Sequence, residues 1–188
     1  FMRRLDLISN PVSGNKYFKL KYNIDYAIKS KFNTIITFGG PYSNHILATS
    51  IISKKNNLKS VGFIRGEETL PLNSTLTDAV KNGMEIIYLS RKNYRKINDE
   101  EYLNQLRVKY KKSYIIPEGG TNSLAIRGTE SIIKSDEKFE YICCPIGTGG
   151  TISGIINSSN HNQKIIGFSA IKGVKNIIDN ISNNVNKD

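Results

Sequence analysis

The chain has 188 residues, of which 38% are hydrophobic and 23% charged, and its formal net charge is +11. This composition excludes a disordered chain, and no uncharged apolar run approaches the roughly 18–20 residues that a membrane-spanning helix needs. The basic residues are scattered without an aromatic–basic repeat, which favours a solvated lysine-rich surface. We therefore expect no nucleic-acid or membrane partner, and keep a basic nucleic-acid-binding protein only as a weaker alternative.

Strand-like and helix-like segments alternate along the chain. β-rich runs predict strands at residues 34–38, 60–64, 84–89, 114–116, 141–145 and 165–168. Helical spacing, caps and stop signals predict helices at residues 17–31, from 44, at 74–81, from 98, from 122 or 123 to about 135, and from 151. This alternation is typical of βαβ units, so we predict an α/β fold with mostly parallel sheets.

The first residues and the two cysteines lead to two further predictions, one about the completeness of the chain and one about its redox setting. Phe1 precedes Met2, and no apolar run of a signal peptide follows, so we expect a piece of a longer protein, incomplete at both ends. Cys143 and Cys144 are adjacent on a predicted strand and point to opposite faces, which argues against a disulfide between them. We interpret them as buried core thiols in a reducing, cytoplasmic setting.

A glycine loop follows the predicted strand at 141–145 and precedes a helix. Glycines let the backbone approach a ligand, while free N–H groups at a helix start favour a phosphate. The pattern is neither a Walker loop nor a spaced Gly-x-Gly-x-x-Gly motif. We interpret it as an anion-binding loop rather than a simple tight turn, and its residues are Gly147, Thr148, Gly149, Gly150 and Thr151.

Two further glycine-bearing turns carry polar side chains. Lys16 ends the Ser-Gly-Asn-Lys sequence of residues 13–16 ahead of a helical run, where the helix dipole disfavours a cation. A surface lysine is one interpretation, and a lysine with a lowered pKa, suited to Schiff-base chemistry, is the other. In the Gly-Gly-Pro-Tyr-Ser-Asn-His sequence of residues 39–45, Ser43 or Asn44 is, taken alone, better explained as a helix N-cap.

Taken together, these turns resemble one family. The motifs occur in order as Ser-Gly-Asn-Lys with Lys19 and Leu20, Ser-Asn-His at 43–45, Glu-Gly-Gly-Thr-Asn at 118–122, and the late glycine loop. This order resembles the 1-aminocyclopropane-1-carboxylate deaminase/D-cysteine desulfhydrase branch of the fold-type-II pyridoxal-phosphate enzymes, from residue 4 to about 173.

The resemblance implies a role for individual residues. Lys16 would carry pyridoxal 5'-phosphate and act as the base at the substrate α-carbon. Asn44 would hydrogen-bond the pyridoxal 3′-oxygen, Ser43 would contact the substrate carboxylate or act as a second base, and His45 would line the same pocket. The glycine loop would hold the cofactor phosphate, through the backbone and hydroxyls of Thr148, Gly149, Gly150 and Thr151, with residues 119–122 close to the site.

The resemblance also implies an architecture and an activity. Two three-layer α/β domains are expected, a large cofactor domain from residues 1–18 and 117–188 and a small one from residues 19–116, with the cofactor between them and a homodimer as the common assembly. The activity would be a lyase or deaminase that converts a small amino acid to a 2-oxo acid and ammonia. D-cysteine is favoured slightly over the cyclopropane substrate, and a truncated, non-catalytic remnant or a fragment of such an enzyme is the first alternative.

Overall fold

The computed structural model describes residues 1–9, 12–134, 136–170 and 177–186. Its helices are α1 (Asn15–Lys29), α2 (Asn44–Lys55), α3 (Ser74–Lys81), α4 (Arg91–Tyr94), α5 (Glu100–Lys109), α6 (Ser123–Thr129), α7 (Gly150–Ser158) and α8 (Ile177–Ser182). Its strands are β1 (Thr34–Gly39), β2 (Lys59–Arg65), β3 (Met84–Leu89), β4 (Ser113–Ile116), β5 (Tyr141–Ile146) and β6 (Lys164–Ser169). Single 3-10 turns lie at Leu5–Leu7, Glu118–Gly120 and Glu130–Ile132.

The first sheet is parallel throughout, with the strand order β3-β2-β1-β4. Every residue of β1 is buried, as expected for a central parallel strand whose two faces are both covered. In the register of this sheet, Thr34 of β1 pairs with Lys59 of β2 and with Ser113 of β4. The carboxyl ends of these strands therefore lie along one edge, which is where open α/β sheets generally bind ligands.

The second sheet consists of β5 and β6, which are parallel. Inward-facing Ile142 and Cys144 pack against the α7 residue Ile152 in a buried apolar cluster. Tyr141 and Phe168, by contrast, are 52% and 59% exposed. Part of this sheet's apolar surface is therefore not covered by the described residues.

The cysteine prediction is wrong for one of the two residues. Cys144 is buried, whereas Cys143 is exposed. The alternation of a strand explains the difference, because only one of two neighbours can face the core that α7 covers. The two thiols do point to opposite faces, as predicted from the sequence.

Helix α1 contributes to two apolar cores. Leu20 and Ile24 pack with Ile35 of β1, whereas Phe18 packs with the cluster that includes Ile142 and Ile152. The helix is continuous across residues 18 and 19, where a domain boundary is predicted from the sequence. The division into two domains stays a prediction, and the described residues form an α/β body around this shared helix.

Helices α1, α6 and α7 approach one another through glycines. A Cβ atom at Gly128 of α6 would overlap the carbonyl oxygen of Phe18 in α1, and one at Gly154 of α7 would overlap the hydroxyl oxygen of Thr129 in α6. The Thr129 hydroxyl in turn lies 3.1 Å from the carbonyl oxygen of Gly150. These contacts pack α6 closely against both α1 and α7.

The predicted strands are present in the structure, and the helices differ in several places. Helix α1 begins at Asn15, after Gly14 with its positive φ of 67°, so that Lys16 lies in its first turn rather than ahead of it. Helix α6 ends at Thr129, well before residue 135, because Ile132 and Ile133 turn into the core; residue 135 itself lies outside the described residues. The four-residue α4 and the six-residue α8 were not predicted.

Candidate active site

Lys16 is half-buried in the first turn of α1. Its Nζ atom donates a hydrogen bond of 3.3 Å to the carbonyl oxygen of Gly119. Burial lowers the pKa of Lys16 from 10.5 to about 8, because desolvation disfavours the charged amine. A lysine with such a pKa is partly neutral near pH 8, and the neutral amine is the nucleophilic form.

Lys19 lies three residues further along α1 and is only 1% exposed. Its Nζ atom donates hydrogen bonds to the Gly119 carbonyl oxygen at 2.7 Å, to Thr121 Oγ1 at 2.9 Å and to Thr148 Oγ1 at 3.3 Å. Burial, and then the charge of Lys16, lower its pKa to about 7. No role for Lys19 was predicted from the sequence, although the i, i+3 spacing from Lys16 places both side chains on one helix face.

The glycine loop connects β5 to α7, as predicted. Gly149 adopts the left-handed conformation, with φ of 88°, immediately before α7 begins at Gly150. Thr148 Oγ1 lies 2.6 Å from Thr121 Oγ1, and Thr151 Oγ1 accepts a hydrogen bond of 2.9 Å from Asn15 Nδ2. The loop is therefore tied both to the start of α1 and to the turn that receives the lysine hydrogen bonds.

One pocket of about 60 Å³ opens onto these groups. Its lining residues are Asn15, Lys16, Lys19, Pro145, Ile146, Gly147, Thr148, Gly149, Thr151 and Ile152. Helices α1 and α7 both begin at this pocket, and N–H groups without an intrahelical partner favour an anion there. Pockets for drug-sized ligands measure roughly 300–1,000 Å³, so this one matches the anionic end of a cofactor rather than a whole cofactor.

His45 is fully buried beside the turn at residues 118–122. The Thr37 hydroxyl donates to the Ile116 carbonyl oxygen at 2.9 Å, so at 2.8 Å it accepts from His45 Nε2. This assigns the proton to Nε2 and leaves Nδ1 as a buried acceptor without a partner among the described residues. Burial first, and then the charges of Lys16 and Lys19, hold the pKa of His45 well below its usual range, so the imidazole is neutral.

Ser43 and Asn44 stand at the start of α2. Ser43 is the N-cap residue, and its Oγ accepts a hydrogen bond of 3.4 Å from the backbone N–H of Ile46. Asn44 is exposed at the first position of the helix. Neither side chain hydrogen-bonds Lys16 or the glycine loop within the described part of the chain. The structure thus brings Lys16 and the glycine loop together, and leaves Ser43 and Asn44 outside that hydrogen-bonded group.

A buried amide network supports the turn at 118–122. Asn23, which is fully buried, accepts hydrogen bonds from Tyr114 Oη at 2.8 Å and from Asn122 Nδ2 at 2.7 Å. Asn122 also caps α6 by accepting from the Ala125 N–H at 2.9 Å, as the sequence predicts. The part played by Asn23 was not predicted from the sequence, although this residue lies four positions after Lys19 on the same face of α1.

Two further findings concern the described residues alone. Among them, no helix combines the length and the apolar character needed to cross a bilayer. Those same ranges contain no cluster of three or more histidine, cysteine, aspartate or glutamate side chains suited to a metal ion.

Comparison with known proteins shows to which family the chain is related. No family model matches the chain. A protein of Thermotoga maritima that carries the provisional name 1-aminocyclopropane-1-carboxylate deaminase is 36% identical over 163 residues, which cover 82% of this chain and 52% of the relative. The bifunctional mitochondrial D-cysteine desulfhydrase/1-aminocyclopropane-1-carboxylate deaminase of Arabidopsis thaliana is 33% identical over 175 residues, which cover 82% of this chain and 43% of the relative.

Solved structures agree with these relatives. The crystal structure of a 1-aminocyclopropane-1-carboxylate deaminase homologue superposes with a TM-score of 0.81 and 27% identity, over 97% of this chain and 59% of that chain. Maize serine racemase, at 18% identity and a TM-score of 0.62, shares the fold. The chain spans about half the length of the curated relatives it matches. It is a homologue of the 1-aminocyclopropane-1-carboxylate deaminase/D-cysteine desulfhydrase family of fold-type-II pyridoxal-phosphate enzymes.

Proposed function

We propose that this chain supplies the lysine and the phosphate loop of a pyridoxal-phosphate-dependent lyase or deaminase acting on a small amino acid. One observation carries the proposal: the amine of Lys16, whose pKa is lowered to about 8, lines the same pocket as the glycine loop. A lysine that bonds a carbonyl compound and a loop that binds its phosphate must lie close together, and both line this pocket.

The residues of the pocket fit this cofactor. Gly147 and Gly149 have no side chain that would cover the N–H groups of the loop. The hydroxyls of Thr148 and Thr151 would donate hydrogen bonds to the phosphate. Lys19 would hold the loop and the turn at 118–122 together through its hydrogen bonds to Thr148 and Gly119. When bound, the cofactor supplies the electron sink that stabilises negative charge at the substrate α-carbon.

The same lysine would move the proton in the reaction. In its neutral form Lys16 would accept a proton at Nζ from the substrate α-carbon and return it later to the product, which general acid–base catalysis favours for a group with a pKa near the working pH. His45, with an unpartnered Nδ1 in a buried position, would accept a hydrogen bond from a bound ligand or water. Its neutral state keeps a further positive charge away from both lysines.

Ser43 and Asn44, which stand at the start of α2, would complete the site. In this proposal Asn44 contacts the cofactor ring and Ser43 the substrate carboxylate, while residues 19–116 form a small domain that closes on a large domain of residues 1–18 and 117–188. Closure of one part on the other can assemble a catalytic site. The exposed position of Asn44 at the start of α2 is compatible with such an approach.

We favour β-elimination of D-cysteine, which with one water molecule gives a 2-oxo acid, ammonia and sulfide, over opening of the cyclopropane amino acid. The bifunctional plant relative carries both activities in its name. We prefer the first reaction because opening of the cyclopropane ring would need particular later residues of the family, which were not located in this sequence. The test is release of keto acid from each of the two amino acids by the cofactor-loaded protein. Activity on neither would refute this part of the proposal.

A non-catalytic remnant of such an enzyme is the second candidate. The observation that favours it is the apolar surface of the β5–β6 sheet, where Tyr141 and Phe168 are exposed. Parallel sheets are normally covered on both faces, and the described residues leave part of one face uncovered. A remnant would bind the cofactor weakly or not at all, and would turn over no substrate.

The visible absorption spectrum after addition of pyridoxal phosphate separates the candidates. After free cofactor is removed, the parent protein is expected to retain a visible absorption band that is absent from Lys16→Ala, since only covalently attached cofactor remains with the protein. Lys21→Ala, which changes an exposed lysine of the same helix, is the matched control and should keep the band. A band that survives Lys16→Ala would assign the attachment to another lysine, and no band in the parent would favour the remnant or an incomplete fragment.

A further inference from the structure

A second cavity, of about 500 Å³, lies on the first sheet. It is lined by Pro41, Arg65, Arg91, Tyr94 and Arg95. None of these residues lines the pocket of Lys16 and the glycine loop. The proposed function therefore leaves this cavity, with three arginines, without a role.

The cavity occupies the ligand-binding edge of the sheet. Arg65 is the last residue of β2, and Arg91 follows β3 after one residue. Both therefore stand at the carboxyl ends of neighbouring parallel strands, where open α/β sheets bind ligands. Pro41 lies in the loop between β1 and α2, two positions before Ser43 in the sequence.

The three guanidinium groups form no ion pair with any of the described residues. Ion pairs within the described ranges involve other basic residues, and none includes Arg65, Arg91 or Arg95. Surface arginines commonly point into water, and each of the three is exposed. Their convergence on one cavity is different, because like charges brought together repel unless an anion lies between them.

Tyr94 supplies an independent indication of a ligand. The side chain is 5% exposed, and its hydroxyl is buried without a hydrogen-bond partner among the described residues. The guanidinium carbon of Arg65 lies 5.6 Å from the centre of the Tyr94 ring. A buried hydroxyl without a partner costs free energy, which a bound hydrogen-bond acceptor would recover.

One acidic residue acts on this region. Burial first, and then the carboxylate of Glu118, raise the pKa of Tyr94, while Arg65 lowers it. Part of the effect of Glu118 is a side-chain interaction with the Tyr94 hydroxyl, yet no acceptor among the described residues lies at hydrogen-bonding distance and angle from that hydroxyl. Three guanidinium charges outnumber this single carboxylate, so the cavity remains favourable for an anion.

The geometry points to a second ligand site in which Arg65, Arg91, Arg95 and the hydroxyl of Tyr94 bind a small oxyanion, either a phosphate or a carboxylate group. Guanidinium groups recognise both through paired N–H···O hydrogen bonds. The Tyr94 hydroxyl donates to the same ligand. Since Pro41 belongs both to this cavity and to the loop of Ser43, an anion here would lie next to the segment proposed to contact the substrate.

The test is a titration with inorganic phosphate, followed by the arginine Nε–Hε signals in nuclear magnetic resonance spectra at constant ionic strength. The Arg65 signal is expected to shift and saturate, while that of Arg127, an arginine elsewhere in the fold, is not. A parallel titration with succinate decides between the two oxyanion classes, and the tighter ligand identifies the class. The absence of a saturable Arg65 shift with both ligands would overturn the proposal.

Paired variants exclude a general charge effect. Arg91→Gln with Arg95→Gln should weaken binding by about tenfold or more for each arginine removed, since hydrogen bonds to charged groups contribute about 1.5–3 kcal/mol each. Lys92→Gln with Lys96→Gln removes the same charge from neighbouring exposed positions outside the cavity and should leave the affinity unchanged. Equal weakening by both pairs would contradict a defined site.

Two further variants separate this site from the proposed active site. Tyr94→Phe keeps the ring and should weaken binding about threefold to tenfold by removing one neutral hydrogen bond. Lys16→Ala should not alter the Arg65 titration, because Lys16 does not line the arginine cavity. If phosphate bound only at the glycine loop, the Arg65 signal would not shift during the titration, which would contradict the proposal.

Discussion

Lys16 and Lys19 donate to the same acceptor, the carbonyl oxygen of Gly119, at 3.3 and 2.7 Å. Two ammonium groups that share one oxygen repel each other, and the charge of Lys16 accordingly contributes to the lowered pKa of Lys19. An anion in the adjoining pocket would relieve this repulsion. The pair therefore gives the pocket a preference for a negatively charged group before any ligand arrives.

The amines of this pair should react at unusually low pH. Competitive labelling with a trace of acetic anhydride, read by mass spectrometry, should give a midpoint near pH 8 for Lys16 and near 7 for Lys19. Free Nα-acetyl-lysine, labelled in the same tube, should titrate near its ordinary value of about 10.4. A midpoint above 10 for Lys16 would show that its burial does not lower its pKa. This measurement needs no cofactor.

The stability of the protein should rise with pH across the same region. Both lysines have a lower pKa in the folded state than in the unfolded chain, so between about pH 7 and 10.5 the unfolded chain binds more protons. The free energy of unfolding should then increase by up to about 1.4 kcal/mol per pH unit for each group, and the gain is lost as the pH falls. Urea unfolding at pH 6.5, 8 and 9.5 measures the slope.

Lys19→Met tests the assignment of that slope. The variant should flatten the pH dependence, because methionine carries no charge to desolvate. Lys21→Met, at an exposed position of the same helix, should preserve the slope of the parent. If Lys19→Met and the parent gave identical slopes, the pH dependence would have to come from other groups.

The buried amide network should be costly to break. Asn23→Ala removes the acceptor of Tyr114 and Asn122 and leaves both groups without their partner. We expect a loss of about 2–3 kcal/mol in the free energy of unfolding, typical of stranding buried polar groups. Asn104→Ala, at an exposed position of α5, should change it by no more than about 0.5 kcal/mol. Similar losses for the two variants would argue against the network.

The contact between α1 and α6 should not accept a side chain at Gly128. Gly128→Ala would place a methyl group against the Phe18 carbonyl oxygen, and overpacking of this kind costs about 1–3 kcal/mol or more. Gly147→Ala is the matched control for stability, since its Cβ would meet no atom within 4 Å. Thermal unfolding compares the two. A melting temperature for Gly128→Ala equal to that of the control would contradict the close approach of the two helices.

The local features of this fold can be predicted well from the sequence. The runs at residues 84–89 and 74–81 coincide with β3 and α3, because a β-rich hexapeptide and an Asn-Gly stop are strong local signals. The cap formed by Asn122 is another local effect. Lys16 and the glycine loop were found through motifs, and the structure places them at one pocket.

The remaining parts of the site depend on contacts between distant residues. Lys19 is buried by Gly119, Thr121 and Thr148, which lie between 100 and 129 residues away in the sequence. The tautomer of His45 depends on Thr37 and on the carbonyl of Ile116 in a neighbouring strand. No local pattern encodes these partners. The polar face of α1 formed by Lys16, Lys19 and Asn23 is the signal that helical spacing could have shown.

The glycine contact between α1 and α6 has a consequence for how the chain tolerates change. At Gly128 the opposing atom belongs to the backbone of Phe18, so no smaller neighbouring side chain can make room for a larger residue. A second-site substitution therefore cannot compensate there, as it could between two side chains. In a randomised library, position 128 should return glycine alone. At Gly62, where the nearest obstacle is the flexible side chain of Met84, a paired change of the methionine to a smaller residue could restore the fold.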